Sequence, residues 1–358
     1  MVRAAGPQGT SVPSPEAAVW LLLGRDLDQD RVTGVLGEAL GREFGPDCAV
    51  VHSSRLLLGL RAGDLTLHGM DGAELAAPRV VYARLSTPQL SCDREATLLR
   101  QLRAMGAALV NPVEAVLACV NKFWHLQELA LAGLPVPDTR TYTAAELGEA
   151  IAAGVPEPCV VKAVRGHRGR RVFLAPDAAT LRDVHGCLAA DVPYLFQDYV
   201  AHSHGRDLRV IVVDGRTAAA QVRTGACGSF KSNLSLGGTG TPCLGRYPEG
   251  EALAERAARA LGLGVAGVDL LFEADGGFTV CEVNANVSWR PPLDGTVVPA
   301  VVAACRARLA AADASGRPAR CPDRRPPDTA TATPDVPSSR AVPDRSSSVR
   351  GAPSRSGR

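Results

Sequence analysis

The residues best suited to chemistry lie between positions 267 and 286, in GVDLLFEADGGFTVCEVNAN. Two apolar-rich runs flank an Asp-Gly pair, which reads as a β-hairpin with a two-residue turn at Asp275-Gly276. In that register Ala274 faces Gly277, Asp269 lies opposite Glu282, and Asn284 emerges two residues on along the same face. Two carboxylates with Cβ atoms ~5 Å apart repel by about 3 kcal/mol at an effective dielectric of about 20, so an apolar hairpin should not hold them bare. A divalent cation removes the conflict. Every candidate ligand is an oxygen, which selects magnesium or manganese and leaves open positions for phosphate oxygens.

A second arrangement, VVKAVRGHRGRRVFLA at 160–175, is a basic loop between two strands. Gly166 and Gly169 let the backbone fold over a ligand, while Lys162, Arg165, His167, Arg168 and Arg170 supply the positive charge that suits a polyphosphate. It is no Walker loop, because no Gly-Lys-Ser/Thr follows and no helix begins at once. In FQDYVAHSHGRDLRV, 196–210, a strand breaks at His202-Ser-His-Gly205 and resumes. Such a break frees backbone groups to read an adenine edge, and Asp207 is placed to accept from ribose hydroxyls. Arg223 follows, then SFKSNLSLGGTGTPC at 229–243, where Lys231, Asn233 and a glycine cluster resemble a clamp for a carboxylate or phosphate. No nucleophile in a recognisable catalytic frame accompanies these groups. A magnesium nucleotide, a covering loop and basic clamps are the parts of electrostatically catalysed phosphoryl transfer.

Alternating strands and helices must position these groups. Strand-like runs stand at AVWLLLG from 18, CAVV from 48, RLLLGL from 55 and RVVYARL from 79, with a helical pattern over Asp93–Met105. Helical spacing continues from Asn111 to Gly133, where Gly133-Leu-Pro135 closes it. A new α/β unit begins at Val136, with strands PCVVKA from 158, RRVFLA from 170, YLFQDYV from 194, DLRVIVVD from 207 and TAAAQVRT from 217, and a helix over Ala178–Ala189. A helix over Glu251–Leu261, the hairpin, and a closing helix from about Val297 to Ala312 complete the pattern. The fold class is α/β. From Asp313 to Arg358 the chain is rich in Pro, Ser, Arg, Asp and Thr and has no period, which predicts a disordered tail.

The 358 residues carry 39 basic and 37 acidic side chains, a net charge of only +2, so neither nucleic acid nor a membrane surface is an expected partner. The apolar run Ala17–Gly24 is far too short to span a bilayer and follows no basic segment. Ten cysteines form no Cys-x-x-Cys pair, as reduced thiols of a cytoplasmic protein do. Almost every cation is arginine, and only Lys122, Lys162 and Lys231 are lysines.

The ordered series VNKFWHLQELALAGLPVPDT, VVKAVRGHRG, YLFQDYVAHSHGRDLRVIVV, SNLSLGG and GVDLLFEADGGFTVCEVNANV resembles the RimK-like ATP-grasp ligases. Within them it most resembles the branch that makes N-acetylaspartylglutamate and β-citrylglutamate. The resemblance is dense from about Val80 to Val287. It implies an ATP-grasp fold behind an N-terminal α/β domain, with 1–112 as that domain, 113–205 and 206–312 as the two lobes, and 313–358 as the tail. By motif, Lys122 and Lys162 would contact ATP phosphates together with the loop Arg165, Gly166, His167, Arg168 and Gly169. Gln197, Asp198, Tyr199, Val200, His204 and Asp207 would hold adenine and ribose. Arg223 would bind near the γ-phosphate or an acyl phosphate, making Arg223 and Lys162 the catalytic pair. Asp269, Glu282 and Asn284 match the family's ligands for Mg2+ or Mn2+, with two ions expected. Arg84, Asn233 and Ser235 would meet the substrate.

The implied reaction is ATP-dependent amide formation between glutamate and N-acetylaspartate through an acyl phosphate. Citrate as the acid, an acidic protein C-terminus as acceptor, and a relative that binds nucleotide without catalysis are the alternatives. After CEVNANV the family continues with glycine and aromatic residues, whereas this chain reads SWRPPLDGTVVP at 288–299. The segment near Arg84, Thr87, Pro88 and Asp93 also differs in many neighbours. Both departures bear on the acid substrate.

Overall fold

A run of consecutive buried apolar residues, Val19–Leu23 (β1), forms the middle of the first sheet. The computed structural model describes residues 16–24, 30–86, 90, 93–166, 169–188 and 192–315. Strand β1 pairs in parallel with Cys48–His52 (β2) and Val80–Arg84 (β5), which pairs with the short Ala108–Leu109 (β6), giving the order β2-β1-β5-β6. A parallel sheet needs cover on both faces. One cover is helix α1 (Arg31–Phe44), which buries Val32, Leu36 and Leu40 against Leu21 and Leu23. The other is α2 (Arg94–Ala104), whose Leu98, Leu99 and Leu102 share a core with Trp20 and Leu22. Helix α1 escaped the sequence reading, although Asp30 caps it through Thr33 N and its apolar residues recur every four positions. Leu56–Arg61 (β3) was expected; its antiparallel partner Asp64–Gly69 (β4) was not.

The helical stretch expected from Asn111 to Gly133 is two helices, α3 (Val113–Val120) and α4 (Lys122–Leu131). Asn121 breaks them. Its backbone is extended, and its side chain accepts from Phe123 N and Trp124 N at 3.0 and 3.2 Å, so Lys122 opens α4 in a fixed position.

The second sheet is antiparallel, with the order β7-β10-β8-β9: Thr139–Thr141 (β7), Cys159–Ala163 (β8), Val172–Ala175 (β9) and Tyr194–Asp198 (β10). Helices α5 (Leu147–Ala152) and α6 (Ala178–His185) pack with it, α6 ending before the expected Ala189. The third sheet, β13-β12-β11-β14-β15, is antiparallel throughout. It comprises Arg206–Val213 (β11), Arg216–Thr224 (β12), Thr239–Pro242 (β13), Val265–Phe272 (β14) and Phe278–Asn284 (β15). Helix α7 (Pro248–Ala260) lies so close to the sheet at Gly250 that a Cβ there would come within 2.8 Å of Leu208.

Helix α8 (Asp294–Ala314) runs two residues past the expected end, into the start of the segment read as tail; residues 316–358 lie outside the described residues. Among the described residues, Pro291–Ala314 is the one helical stretch long and apolar enough to cross a membrane. It buries Val297, Val301 and Cys305 against the first and third sheets, and its Arg306 and Arg308 pair with Glu43 and Asp214. That is how a core helix is held. The eight described cysteines are all free, and only Cys159, Cys243 and Cys305 are buried.

Candidate active site

One cavity of about 640 Å³ gathers residues from the three larger sheets, within the size range of small-molecule sites. Strands β8 and β10 contribute Lys162, Gln197 and Asp198; β11 and β12 contribute Asp207, Arg209, Gln221 and Arg223. From β14 and β15 come Asp269, Cys281, Glu282 and Asn284. Alternation puts Asp207 and Arg209 of β11 and Gln221 and Arg223 of β12 on this wall, buried polar residues in strands otherwise mostly apolar.

The 267–286 hairpin reaches its expected pairing by an unexpected route. Glu273 N bonds Gly277 O at 3.0 Å and Gly276 N bonds Glu273 O at 3.2 Å, with Gly276 at φ +89°. The connection is therefore a three-residue loop, not the two-residue turn, and it shifts the register by one. A bulge at Cys281, between the pairs Leu270–Val280 and Asp269–Glu282, shifts it back. The two departures cancel, and Asp269 does face Glu282. The bulge also turns Cys281 and Glu282 toward the same cavity.

The carboxylates are not bare, which corrects the electrostatic argument for a metal. Arg209 grips Asp269 with two nitrogens, the second at 2.8 Å, and Arg223 adds a contact at 3.0 Å. Lys122 Nζ donates to Glu282 Oε1 at 2.5 Å and to Gly166 O at 3.3 Å. The chain's own cations thus relieve the repulsion, and no ion is required for that purpose. Burial alone would raise the Glu282 carboxyl, but the Lys122 ammonium outweighs it and holds the group down at about 2. Burial would lower the Arg223 guanidinium, yet Asp269 and Asp207 together raise it. Asp269, Glu282 and Asn284 offer oxygens on one wall, a donor set that fits a hard divalent cation in competition with these arginines and this lysine.

Several expected residues have other placements. Asp207, read as a ribose acceptor, gives both carboxylate oxygens to Arg223. Arg84 is fully buried behind the cavity, donating to Thr33 Oγ1 at 3.1 Å, Val287 O at 2.8 Å and Asp30 Oδ2 at 2.7 Å; its neighbours Ala83 and Leu85 line the wall in its stead. Arg165 stacks over Trp124 at 5.9 Å, His204 bonds the Tyr199 hydroxyl, and neither lines the cavity. Gly166 contributes its carbonyl to Lys122. His167 and Arg168, like Thr87 and Pro88, lie outside the described residues. Lys122, Lys162, Gly169, Gln197, Asp198, Tyr199, Val200, Arg223, Asn233 and Ser235 are brought together with the hairpin triad. Lys162 bonds Gln197 Oε1 and lies 3.3 Å from Cys281 Sγ. Lys231 reaches Gly169 O at 3.1 Å, so the 229–238 loop closes on the glycine loop.

Sequence reading missed Arg209, Gln221 and Arg290 on the wall, and His125 beneath it. Arg209 carried a signal, since it sits two residues from Asp207 on a strand and so must share its face. His125 has no exposed surface and, among the described residues, no partner for either ring nitrogen. In all, nine lysines and arginines line the cavity against five carboxylates, an excess of four in a chain whose whole net charge is +2. A cavity with that balance is built for anions.

Comparison with known proteins gives the family. A RimK-like ATP-grasp domain matches residues 119–291. Beta-citrylglutamate synthase B of Homo sapiens is 42% identical over 282 residues, covering 77% of this chain and 73% of that one. The chain belongs to the RimK-like ATP-grasp ligase family. N-acetylaspartylglutamate synthase A of Mus musculus is 41% identical over 281 residues, covering 76% of this ATP-grasp ligase and 73% of the relative. A probable alpha-L-glutamate ligase of Xanthomonas campestris is 34% identical over 258 residues, 71% of this chain and 85% of that one. Among solved structures, ATP-grasp ligase PsnB complexed with a minimal precursor, Mg and ADP superposes with a TM-score of 0.58 at 22% identity, over 82% of this ligase and 99% of PsnB. That likeness carries the fold.

Proposed function

We propose that this ATP-grasp ligase joins the α-amine of glutamate to N-acetylaspartate, with citrate as the second acid to test, using Mg-ATP. The observation that carries the reading is the cationic excess of the cavity around the paired carboxylates of the hairpin, together with relatives that bear synthase names for both products.

In the first step a substrate carboxylate oxygen attacks the γ-phosphorus of ATP, the bond to the β–γ bridging oxygen breaks, and ADP departs from an acyl phosphate. In the second, the glutamate amine attacks the acyl carbon, phosphate leaves, and the amine loses a proton to give the amide. Lys162 and Lys122 are assigned to the phosphates, and the edge at Gln197–Val200 to adenine. Arg223 is assigned to the transferred phosphoryl group; Asp207 then acts by holding the Arg223 guanidinium rather than by meeting ribose. Asn233 and Ser235, on the loop clasped to Gly169, are assigned to the acid. Asp269, Glu282 and Asn284 would hold magnesium, which supplies charge neutralisation on the phosphates. Closure of the 229–238 loop over the glycine loop excludes water, which would otherwise hydrolyse the acyl phosphate.

The test is mass spectrometry after incubating the protein with Mg-ATP, glutamate and a mixture of N-acetylaspartate, citrate and related acids. Acid plus glutamate minus water, formed with ADP, is the expected product. ATP binding without ADP or amide from any acid would sink the small-molecule ligase reading.

A further inference from the structure

We propose that Arg290 is a specificity residue that binds a second, non-reacting carboxylate of the acid substrate. The proposal deepens the ligase reading above and rests on it.

Five of the nine cations on the cavity wall, Lys162, Arg170, Arg206, Lys231 and Arg290, have no carboxylate partner among the described residues. Three of them stand on or beside the glycine loop and its clasp, and Arg206 lies over the Phe272 ring at 4.6 Å. Arg290 is set apart. The chain leaves the metal hairpin at Asn284 and runs against the N-terminal sheet, where Asn286 Nδ2 donates to Leu85 O at 3.2 Å. Arg290 therefore stands past the hairpin triad, on the stretch where the cavity wall passes to Ser86 and Arg31.

The segment around Arg290 is built to present a side chain. Trp289 is 4% exposed and donates through Nε1 to Asp294 Oδ1 at 2.8 Å. Arg31 pins the same place, donating to Asp294 Oδ2 at 2.8 Å and to Trp289 O at 2.9 Å. On the other side Pro291 and Pro292 follow, and Arg290 has the extended backbone that a residue before proline must adopt, φ −98° and ψ 159°. The Arg290 side chain stays exposed, and its guanidinium donates to Leu234 O at 3.3 Å, between Asn233 and Ser235. One carbonyl leaves most of the guanidinium donors of Arg290 unused. A planar fork on a rigid stem, beside the two loop residues assigned to the acid, suits a carboxylate in bidentate contact.

The test crosses the protein with the substrate. Wild type, Arg290→Ala and Arg290→Lys are assayed for amide formation with Mg-ATP, glutamate and either N-acetylaspartate or N-acetylasparagine, in which an amide replaces the non-reacting carboxylate. Arg290→Ala is expected to lose about tenfold or more in kcat/KM for N-acetylaspartate and less than about twofold for N-acetylasparagine, with KM for ATP unchanged and partial recovery in Arg290→Lys. Equal losses on both acids, or a raised KM for ATP, would overturn the proposal by making Arg290 a loop latch or a nucleotide contact. A wild type that forms no amide with any acid would instead remove the ligase reading itself, and this proposal with it.

Discussion

At the scale of single residues, the two carboxylates of the hairpin differ in what they hold. Glu282 is partly exposed and, among the described residues, answers to Lys122 alone as a cation within hydrogen-bond reach, so Glu282→Gln should leave a folded protein whose ADP release falls by at least about 100-fold. Asp269 is shared by two buried arginines, and Asp269→Asn should cost about 3 to 5 kcal/mol of stability as well as activity, measurable by urea titration. Wild-type ADP release in Glu282→Gln would overturn the proposed metal-binding role of that residue. His125 sets a pH dependence. Burial, reinforced by Lys122 and Lys162 and opposed by Glu282, lowers its imidazole from 6.5 to about 3. Between those values the unfolded chain binds one proton more than the folded one. Its contribution is complete above pH 6.5 and declines as pH falls, by about 1.4 kcal/mol per pH unit, until the folded group titrates. Unfolding free energies of wild type and His125→Leu, measured from pH 7 to 5, should show the slope reduced in the variant. Parallel curves would mean that His125 is accessible to protons in the native state.

At the scale of elements, the site depends on two connections that hold loops in place. Asn121 separates α3 from α4 and fixes Lys122 at the start of the second helix. Asn121→Ala should cost about 1 kcal/mol of stability and weaken nucleotide binding, read by calorimetry, because Lys122 is no longer aimed. Gly225 makes the return from β12 into the 229–238 loop. A Cβ there would fall 2.1 Å from Lys231 O, so Gly225→Ala should displace the loop and cost about 1 to 3 kcal/mol, with amide formation lost before the thermal transition is. The strands and most helices were legible because apolar periods of two and of 3.6 dominate those segments. Helix α1 was overlooked despite its cap, and β4, β7 and β13 are short or carry few apolar residues. The hairpin is the instructive case: Asp-Gly announced the turn, but the bulge at Cys281 has no local sequence signal and exists because the side chains on both strands must meet their partners.

At the scale of the whole molecule, buried polar residues tie the first sheet to the third. Arg84 joins Asp30 and Thr33 to the Val287 carbonyl just past the hairpin, and Asn111 makes three bonds of 2.8 Å with Val265 and Ala285. Arg84→Ala should lower stability by about 3 to 5 kcal/mol in thermal or denaturant unfolding, because Asp30 and the Val287 carbonyl then lose a buried partner. The sequence by itself determined the α/β class, the strands that carry the site, the family, and the convergence of Asp269, Glu282 and Asn284, since period, turn signal and motif are all local. Only the tertiary structure decided what those groups touch. Arg209 and Arg223 reach Asp269 from two other strands, Lys122 reaches Glu282 from a helix start, and Arg84 turns out to brace the wall rather than face the cavity. Charge compensation between residues far apart in the chain is a property of the assembled fold, because each desolvated group must find its partner among neighbours that sequence spacing does not specify.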